Sequence, residues 1–425
     1  MPTETTDTRP ERVLLAGVHQ GCLDTLSDTT EDSIRELCEL VKTAGGEVVA
    51  EVVQNKADLE SGTYMGEGKL LEIAEMIPAL EIDTVVFDDE LTGVQTRNIS
   101  DILGVKVIDR STLILDIFAM RAKSGEGKLQ VELAQLKYRM TRLRGMGEVL
   151  SRVGAGIGTR GPGETKLESD RRHIRRRITA LEEELSDIQK HRDLLRKRRK
   201  KDGVITAALV GYTNAGKSTL LNALTDSDVF AEDKLFATLD PTSRAIELPD
   251  SRQVLLVDTV GFIRKLPHHL VEAFKSTLEE AAVADVLLHV IDSSSEQYSD
   301  HIKVVKSVLS DIGAGEKPII AVFNKCDSIA PDTVLSAPDH DSSVMISAKT
   351  HEGFDSLIHE LSDKAPGKKE KVWAIIPYTQ GSVLSELHKT QKILSEEYLE
   401  NGTKIQILLD ETAYAKIKDY ILGGD

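Results

Sequence analysis

The chain has few cysteines and aromatic residues and lacks long apolar runs. Its 425 residues contain three cysteines, Cys22, Cys38 and Cys326, and aromatic side chains make up 4% of the chain. Such a sparse, odd set gives no disulfide framework and favours a reducing compartment. No apolar run approaches the roughly 18 residues of a membrane span. Residues 1–11 are polar and do not match a secretory signal, so we expect a cytoplasmic protein without a membrane span, and a monomer.

The most informative motif follows a predicted apolar strand at Val204–Val210 and opens a predicted helix. It consists of Gly211, Tyr212, Thr213, Asn214, Ala215, Gly216, Lys217 and Ser218. In this setting the glycines let backbone N–H groups surround a diphosphate, Lys217 reaches the terminal phosphates, and the Ser218 hydroxyl is placed to ligate Mg²⁺. The motif predicts a nucleoside triphosphate site, and a glycine-rich turn at a helix start is the alternative.

Three further motifs each follow a predicted apolar strand. They are Asp258, Thr259, Val260 and Gly261; then Asn324, Lys325, Cys326 and Asp327; then Ser347, Ala348 and Lys349. Asp258 is placed to reach Mg²⁺ through water, and the Gly261 N–H to meet a γ-phosphate.

The second and third of these motifs predict guanine recognition. The carboxylate of Asp327 can accept hydrogen bonds from both N1–H and the 2-amine of guanine, and adenine offers no such pair. We expect Lys325 to lie along the nucleotide and the Ala348 N–H to meet O6. Any one tetrapeptide alone often occurs by chance, and a solvated loop is then the alternative. Because doubly wound sheets bind ligands at the carboxyl ends of their strands, four such motifs in order predict a GTP site.

Three longer strings resemble those of the HflX family of ribosome-associated GTPases. They are Leu235–Thr242, Asp258–Ile263 and Gly158–Lys166, and the likeness runs from about Arg12 to the C-terminus. The resemblance implies that Thr238 completes Mg²⁺ coordination in a switch segment when GTP is bound, although Thr242 competes on chemistry alone. It also assigns a run of residues to the GTP site: Phe236, Ala237, Thr238, Leu239 and Asp240.

The expected catalytic residues are Asn214, Lys217, Thr238 and Gly261. Small GTPases carry a glutamine after the Asp-x-x-Gly motif to orient the attacking water, but here Phe262 stands in that place. Phenylalanine neither donates nor accepts a proton, so we expect slow intrinsic hydrolysis. Asn214 is a candidate for holding K⁺ against the phosphates, and its alternative role is to stabilise the turn.

A basic segment is embedded in this acidic chain. The chain has a net charge of -17, yet Arg121–Lys201 contains 23 basic and 11 acidic residues, while the remainder contains 30 and 59. Such a stripe is typical of contact with a phosphate backbone, and a solvated helical face is the alternative. Within it we predict two helices with coiled-coil seams, folded into an antiparallel hairpin by a glycine-rich stretch at Gly145–Glu164 that continues neither helix.

The resemblance implies that the hairpin tip, Gly154–Gly163, enters the large ribosomal subunit near its peptidyl-transferase centre, whereas composition alone also allows plain structural slack. The expected rRNA contacts are Arg160, Lys166, Arg171, Arg172, Arg175 and Arg176. Association with ribosomes or with the membrane surface is then compatible with the expected cytoplasmic location.

The predicted fold class is α/β multidomain. A doubly wound P-loop GTPase sheet at 202–364 is preceded by an α/β domain at 12–122 and the hairpin at 123–201, and is followed by a small α/β domain at 365–425; residues 1–11 form a disordered tail. The repeated tetrapeptides Gly66–Lys69 and Gly125–Lys128 are read as helix entries, and part of an ATP site in the N-terminal domain is the alternative. We expect a GTPase that binds the large ribosomal subunit and splits or rescues stalled 70S ribosomes. The alternatives are a regulatory switch with a protein partner and an RNA-remodelling ATPase.

Overall fold

A computed structural model describes residues 9–21, 30–153, 162–225, 235–236, 242–265, 275–330 and 332–422. Within these residues it contains three sheets and a pair of long helices. The α/β multidomain fold class is confirmed. In the described part of the chain, no helix is both long and apolar enough to cross a membrane.

The first unit, here called the N-terminal unit (residues 12–121), is a parallel sheet covered on both faces by helices. Its elements in order are β1 Arg12–His19, α1 Thr30–Thr43, β2 Glu47–Asn55, α2 Glu67–Leu80, β3 Thr84–Phe87, α3 Gly93–Leu103, β4 Lys106–Asp109 and α4 Arg110–Arg121. The strand order is β2-β1-β3-β4. Because successive side chains of β1 point to opposite faces, Leu15 packs with α1 and α4 while Leu14 packs with α2 and α3.

Two long helices follow, α5 at Gly125–Val153 and α6 at Pro162–Lys201. Arg177 of α6 donates two hydrogen bonds to the Glu132 carboxylate of α5, at 2.7 and 2.8 Å. Val131, Ala134 and Tyr138 of α5 also join the core of the N-terminal unit, so this helix is fixed to the first sheet.

The expectation that Gly145–Glu164 continues neither helix was wrong. Helix α5 runs through Gly145 and Gly147 to Val153, because an interior glycine costs only about 1 kcal/mol relative to alanine and does not stop a helix. Helix α6 begins at Pro162, where a missing N–H is tolerated in the first turn. Residues 154–161 of the expected tip lie outside the described residues, and the coiled-coil seam stays a prediction.

The third unit is a six-stranded sheet in the order β10-β9-β8-β5-β7-β6, in which only β6 runs antiparallel to its neighbour. Its elements are β5 Ile205–Gly211, α7 Lys217–Thr225, β6 Thr242–Glu247, β7 Gln253–Asp258, α8 Lys275–Val283, β8 Val286–Asp292, α9 Tyr298–Asp311, β9 Ile319–Asn324, β10 Ser342–Met345 and α10 Phe354–Lys364. On β5, Leu209 packs on the face covered by α7 and α10, and Val210 on the face covered by α8 and α9.

The chain ends in a small antiparallel sheet with two helices, here called the C-terminal unit (residues 370–422). Its elements are β11 Glu370–Ile376, α11 Gly381–Thr390, β12 Lys392–Leu399, β13 Gly402–Leu409 and α12 Glu411–Ile417, with strand order β11-β13-β12. Ala374, Ile405 and Ile407 form a core of its own with Leu387 of α11 and Ile417 of α12.

Helix α6 also contacts helix α8 of the third unit, near the point where the chain enters that unit. Arg196 lies 2.7 Å from Glu280 of α8, and the neighbouring Arg192 lies 3.8 Å from the same carboxylate. One turn earlier, Gln189 donates to Glu279 at 2.5 Å. The base of the hairpin is therefore bonded to α8, which follows the Asp258–Gly261 motif in the chain.

Candidate nucleotide-binding site

The four motifs lie together at the carboxyl edge of the six-stranded sheet, where β5, β7, β9 and β10 end. The side chain of Asn324, which is 2% exposed, joins two of the loops. Its Nδ2 donates to the Ala215 carbonyl at 2.9 Å, and its Oδ1 accepts from the Ala348 N–H at 2.9 Å. A single buried amide therefore sets the distance between the phosphate loop and the loop predicted to meet the base.

The phosphate loop needs glycine at two positions for close backbone approach. Gly211 has φ of 154° and Gly216 has φ of 92°, a region that other residues rarely adopt. A Cβ on Gly216 would lie 2.2 Å from Nδ2 of Asn324. The loop therefore packs too tightly against the Asn324 amide to admit a side chain there.

Lys217 is buried beneath this loop. Its Nζ donates to the carbonyls of Tyr212 at 2.9 Å and Gly211 at 3.1 Å. Burial lowers the pKa of Lys217 to about 8, against which Asp258 acts in part. The Thr213 hydroxyl oxygen is buried as well and has no hydrogen-bond partner within the described residues. An ammonium group and a hydroxyl are thus held in a loop whose charge and donors suit an anion.

Ser218 and Asp258 offer oxygen donors side by side. The Ser218 hydroxyl donates to the Asp258 carboxylate at 2.6 Å, at the end of β7 and the start of α7. Hydroxyl and carboxylate oxygens are the ligands that Mg²⁺ prefers. In the described part of the chain, no group of three or more His, Cys, Asp or Glu side chains is arranged to hold a metal alone. This pair fits an ion that phosphate oxygens would also bind.

The loop predicted to read the base is ordered by Ser347. The Ser347 hydroxyl donates to Asp327 at 2.7 Å and itself accepts from the Thr350 N–H at 3.1 Å. The bond from Ser347 lowers the pKa of the exposed Asp327 carboxyl. Lys325 adopts φ of 66° and donates to Asp292 at 2.7 Å. An ionised acceptor is thereby fixed at the place where the sequence predicts guanine.

The remaining predicted site residues on these loops fall into place around them. Thr259 donates to the Leu209 carbonyl at 2.7 Å, and Val260 and Ala348 are buried, while Lys349 is exposed and Cys326 is half-buried. Asn214 is exposed and has φ of 62°. A Cβ on Gly261 would lie 2.7 Å from the Thr213 methyl carbon and 3.0 Å from Lys217 Nζ. Glycine at this position lets its backbone lie against both residues.

The other predicted residues do not belong to these four motifs. Phe236 is buried against Phe118 of α4, with ring centroids 4.6 Å apart, in the core of the N-terminal unit. Ala237, Thr238, Leu239, Asp240 and Arg160 lie outside the described residues, as does the side chain of Lys166. On α6, Arg172, Arg175 and Arg176 are exposed and Arg171 is half-buried.

Sequence reasoning missed a buried network that joins the phosphate loop to the N-terminal unit. The Tyr212 hydroxyl donates to Glu36 of α1, and it accepts from the backbone N–H of Arg264 at 2.8 Å. Glu36 also pairs with Arg110, which donates to Asp88 at 2.9 Å. Burial raises the pKa of Glu36 despite these donors.

Lys265 extends the network on the other side of Arg264. Its ammonium lies 2.6 Å from Asp88 and 2.7 Å from Asp89. Burial alone would raise the pKa of Asp88, but Arg110 and Lys265 outweigh burial and lower it. The residues after Gly261 are therefore held by ion pairs to the N-terminal unit. The partners are too far apart in the chain for spacing to reveal them.

Family models described as GTP-binding GTPase N-terminal, GTP-binding GTPase Middle Region and 50S ribosome-binding GTPase match residues 31–119, 121–199 and 206–325. The crystal structure of a GTP-binding protein from the archaeon Sulfolobus solfataricus in complex with GDP is 26% identical, with a TM-score of 0.43 over 83% of this chain and 98% of that chain.

Relatives named GTPase HflX match nearly the whole chain. The protein from Caldanaerobacter subterraneus subsp. tengcongensis is 51% identical over 93% of this chain and 92% of that protein. The protein from Lacrimispora saccharolytica is 49% identical over 96% of both, and the one from Escherichia coli is 42% identical over 88% of this chain and 89% of that protein. Because similarity at this level spans both chains almost completely, this chain belongs to the HflX family of GTPases, enzymes that convert GTP to GDP and phosphate.

Proposed function

We propose that this chain binds GTP at the carboxyl edge of the six-stranded sheet. The observation that carries the proposal is the buried Asn324 amide, which bonds both the phosphate loop and the Ala348 N–H. This arrangement supports a phosphate-binding loop close to the loop that carries Asp327, whose carboxylate can accept both donors of guanine. A site built for two hydrogen bonds rejects a base that lacks them, because its polar groups would be left unpaired.

We propose Ser218 and Thr238 as direct ligands of Mg²⁺, with Asp258 holding a water of that ion. The adjacent oxygens of Ser218 and Asp258 support this set, and Thr238 follows from the resemblance to the family. When bound, the ion neutralises charge that develops on the transferring phosphoryl group. Lys217 exchanges its two carbonyl acceptors for phosphate oxygens, and Gly261 brings its N–H to the γ-phosphate.

Hydrolysis needs a polar group that orients the attacking water or stabilises the developing charge, and Phe262 cannot supply one. That side chain is 1% exposed and packs with Leu278 and Ala281 of α8, so it has an apolar packing role. We propose that K⁺, held in part by the Asn214 amide oxygen, stabilises charge between the β- and γ-phosphates. Preorganised charge at such a position is a large contributor to catalysis. The exposure of Asn214 leaves its amide accessible to an ion.

We propose that the nucleotide state is converted into two conformations. Differential contact of Thr238 and Gly261 with the γ-phosphate would bias the segment that follows Gly261. Arg264 and Lys265 of that segment are bonded to Glu36 and Asp88 of the N-terminal unit. Movement of the segment would therefore be transmitted to the N-terminal unit through these bonds.

We propose that the partner is the large ribosomal subunit and that the outcome is splitting or rescue of stalled 70S particles. Support comes from the family model described as a 50S ribosome-binding GTPase and from the exposed arginines Arg172, Arg175 and Arg176 on α6. Clustered arginines on an acidic protein favour contact with a phosphate backbone, and that contact weakens with salt.

Deleting residues 154–163 and joining α5 to α6 by a short turn tests this proposal. GTP affinity should be unchanged, because the phosphate loop lies beyond α6. Ribosome binding should weaken but persist and fall steeply with KCl, since the α6 arginines remain. Splitting of 70S particles and ribosome-stimulated GTP hydrolysis should drop sharply. Co-sedimentation, light scattering and phosphate release measure the three properties on one set of proteins.

Three outcomes would count against parts of the proposal. Unchanged splitting by the shortened protein would show that the tip is structural slack. No ribosome association of the intact protein at low salt with a GTP analogue would favour a regulatory switch with a protein partner. ATP-driven RNA remodelling without a GTP requirement would instead favour an ATPase acting through the N-terminal unit.

A further inference from the structure

The hairpin of β6 and β7 runs from the candidate nucleotide site to the C-terminal unit. At one end Thr242 pairs with Asp258, whose carboxylate accepts from Ser218. At the other end the turn Leu248–Arg252 is closed by the Leu248 N–H, which donates to the Arg252 carbonyl at 2.9 Å. Strands of this length place the two ends about 20 Å apart. Only β7 connects the hairpin to the rest of the sheet through strand pairing in the described part of the chain.

Arg252 uses all five of its guanidinium N–H donors at the far end of this hairpin. Nε donates to Asp250 at 2.5 Å, and Nη1 donates to the carbonyls of Ala365 at 2.7 Å and Pro366 at 2.8 Å. Nη2 donates to the Ser362 carbonyl at 2.5 Å and its hydroxyl at 3.1 Å. The residue is only 6% exposed, so these bonds are shielded from water. Such a fork of donors has no equivalent in lysine.

The turn is bonded to the C-terminal unit as well as to its linker. The Lys369 N–H donates to Asp250 at 3.4 Å, one residue before β11 begins. Lys392, the first residue of β12, lies 2.6 Å from the Ser251 hydroxyl and 3.4 Å from Glu247. The residue before β11 and the first residue of β12 are thus both bonded to this end of the β6–β7 hairpin. Because that unit has its own core, it can move as one body with the turn.

We propose that Arg252 is the positioning residue of this joint, through which the C-terminal unit follows the β6–β7 hairpin when the bound nucleotide changes. The inference rests on the proposed function, because it uses the same site at Asp258 as the origin of the movement. It gives the C-terminal unit a role in reporting the nucleotide state. Arg252 itself touches neither the phosphate loop nor the base loop.

Trp373 makes the test possible without labels. It is the single tryptophan of the chain, lies on β11 and is 38% exposed, with the Lys404 ammonium 4.7 Å from its ring centroid. Time-resolved anisotropy and acrylamide quenching of Trp373 are measured on the full chain with GDP or a non-hydrolysable GTP analogue. For the wild type we expect rotation with the whole molecule and a difference between the two nucleotides.

Arg252→Gln should retain GTP binding, add a shorter rotational correlation time and abolish the nucleotide difference. Lys392→Ala weakens the same joint at an exposed site, should show a smaller effect in the same direction, and decides the matter if Arg252→Gln does not fold. The matched control is Arg244→Gln, since Arg244 is an exposed residue of the same hairpin whose guanidinium donates only to Ser243 within the described residues.

Different results would contradict the inference about Arg252 and the proposed function. A wild type that hydrolyses GTP on ribosomes, with the same Trp373 signals in both nucleotide states, would overturn the inference alone. Unchanged Trp373 signals in a folded Arg252→Gln protein would do the same. A wild type that binds no GTP would overturn the proposed function.

Discussion

The Tyr212 hydroxyl donates a hydrogen bond to the Glu36 carboxylate, joining the phosphate loop to helix α1 across 176 positions of the chain. The same hydroxyl accepts the Arg264 N–H, and the Tyr212 ring stacks on His301 at a centroid distance of 3.9 Å. A residue of the phosphate loop therefore contacts the N-terminal unit, the segment after Gly261 and helix α9 at once.

We expect Tyr212→Phe to raise the affinity for a GTP analogue relative to GDP. The change removes the hydroxyl that bonds both Arg264 and Glu36 but keeps the ring on His301. The direct bond of the Arg264 N–H to Glu36 at 3.3 Å remains, but the segment after Gly261 loses its bridge through Tyr212 and moves at lower cost. A bond to a charged group contributes about 1.5 kcal/mol or more, which corresponds to roughly tenfold in the affinity ratio. Calorimetry with both nucleotides measures this ratio, and Tyr378→Phe in the C-terminal unit is the control. An unchanged ratio in a folded variant would refute the coupling.

Asp327→Asn should lose GTP affinity and gain affinity for xanthosine triphosphate. The amide cannot accept from both N1–H and the 2-amine of guanine, whereas its own N–H suits the extra carbonyl of xanthine. We expect a loss of about 100-fold or more for GTP, as hydrogen-bond recognition elsewhere supplies. Asp339→Asn, in the exposed loop before β10, is the matched control. Equal GTP affinity of Asp327→Asn and wild type would remove Asp327 from the base site.

GTP hydrolysis should be faster in potassium than in sodium, and Asn214→Gly should erase the difference. Asn214 has φ of 62°, a conformation that glycine adopts without cost, so this variant removes the amide while preserving the loop. Asn214→Ala also removes the amide, but alanine is strained at this φ, so it shows the effect of loop strain by comparison with Asn214→Gly. Steady-state phosphate release is measured in both salts, with and without ribosomes. Equal rates of the wild type in both salts would leave Asn214 as a turn residue.

The free energy of unfolding should fall as the pH is lowered from about 6.5 towards 4, and part of this loss should come from His301. Burial first, and Arg264 second, lower the pKa of His301 from 6.5 to about 4. Between these values the unfolded chain binds the proton and the folded chain does not, so acid favours unfolding, by at most about 3 kcal/mol. His301→Phe should keep the stack on Tyr212 and flatten the pH dependence. Denaturant unfolding at several pH values measures this, with exposed His359→Phe as control; equal slopes for wild type and His301→Phe would contradict it.

Much of the site could be predicted because its chemistry is written in short stretches of sequence. A phosphate loop needs glycines, Lys217 and Ser218 within a few positions, and strands that precede such loops are apolar. The same reasoning predicted β5, β7, β9 and β10 within a few residues. Strands β6 and β8 were missed. Strand β8 coincides with the apolar run Val286–Asp292. Because this run precedes none of the motifs, it was not identified as a strand.

The contacts between units could not be predicted. Glu36 and Tyr212 are ordinary residues of a helix and a loop, and only the fold brings them together. Arg252 bonds mostly to backbone carbonyls, which every residue possesses. No pair of residue types in the sequence therefore predicts this contact. The glycines of α5 were misleading because local propensity is weaker than the packing of a long helix.

Because α6 is long, a small tilt at one end displaces the other end by several ångströms. Its 40 residues correspond to about 60 Å, and a tilt of about 5° at one end displaces the other by about 5 Å. The end near Lys201 is the one where Arg192 and Arg196 meet Glu280 of α8. A rotation of that size at the end bonded to α8 would therefore move the opposite end of α6 by about the width of a nucleotide base. The displacement of the far end is therefore set by the length of α6, and a change of bound nucleotide needs to produce only a slight rotation.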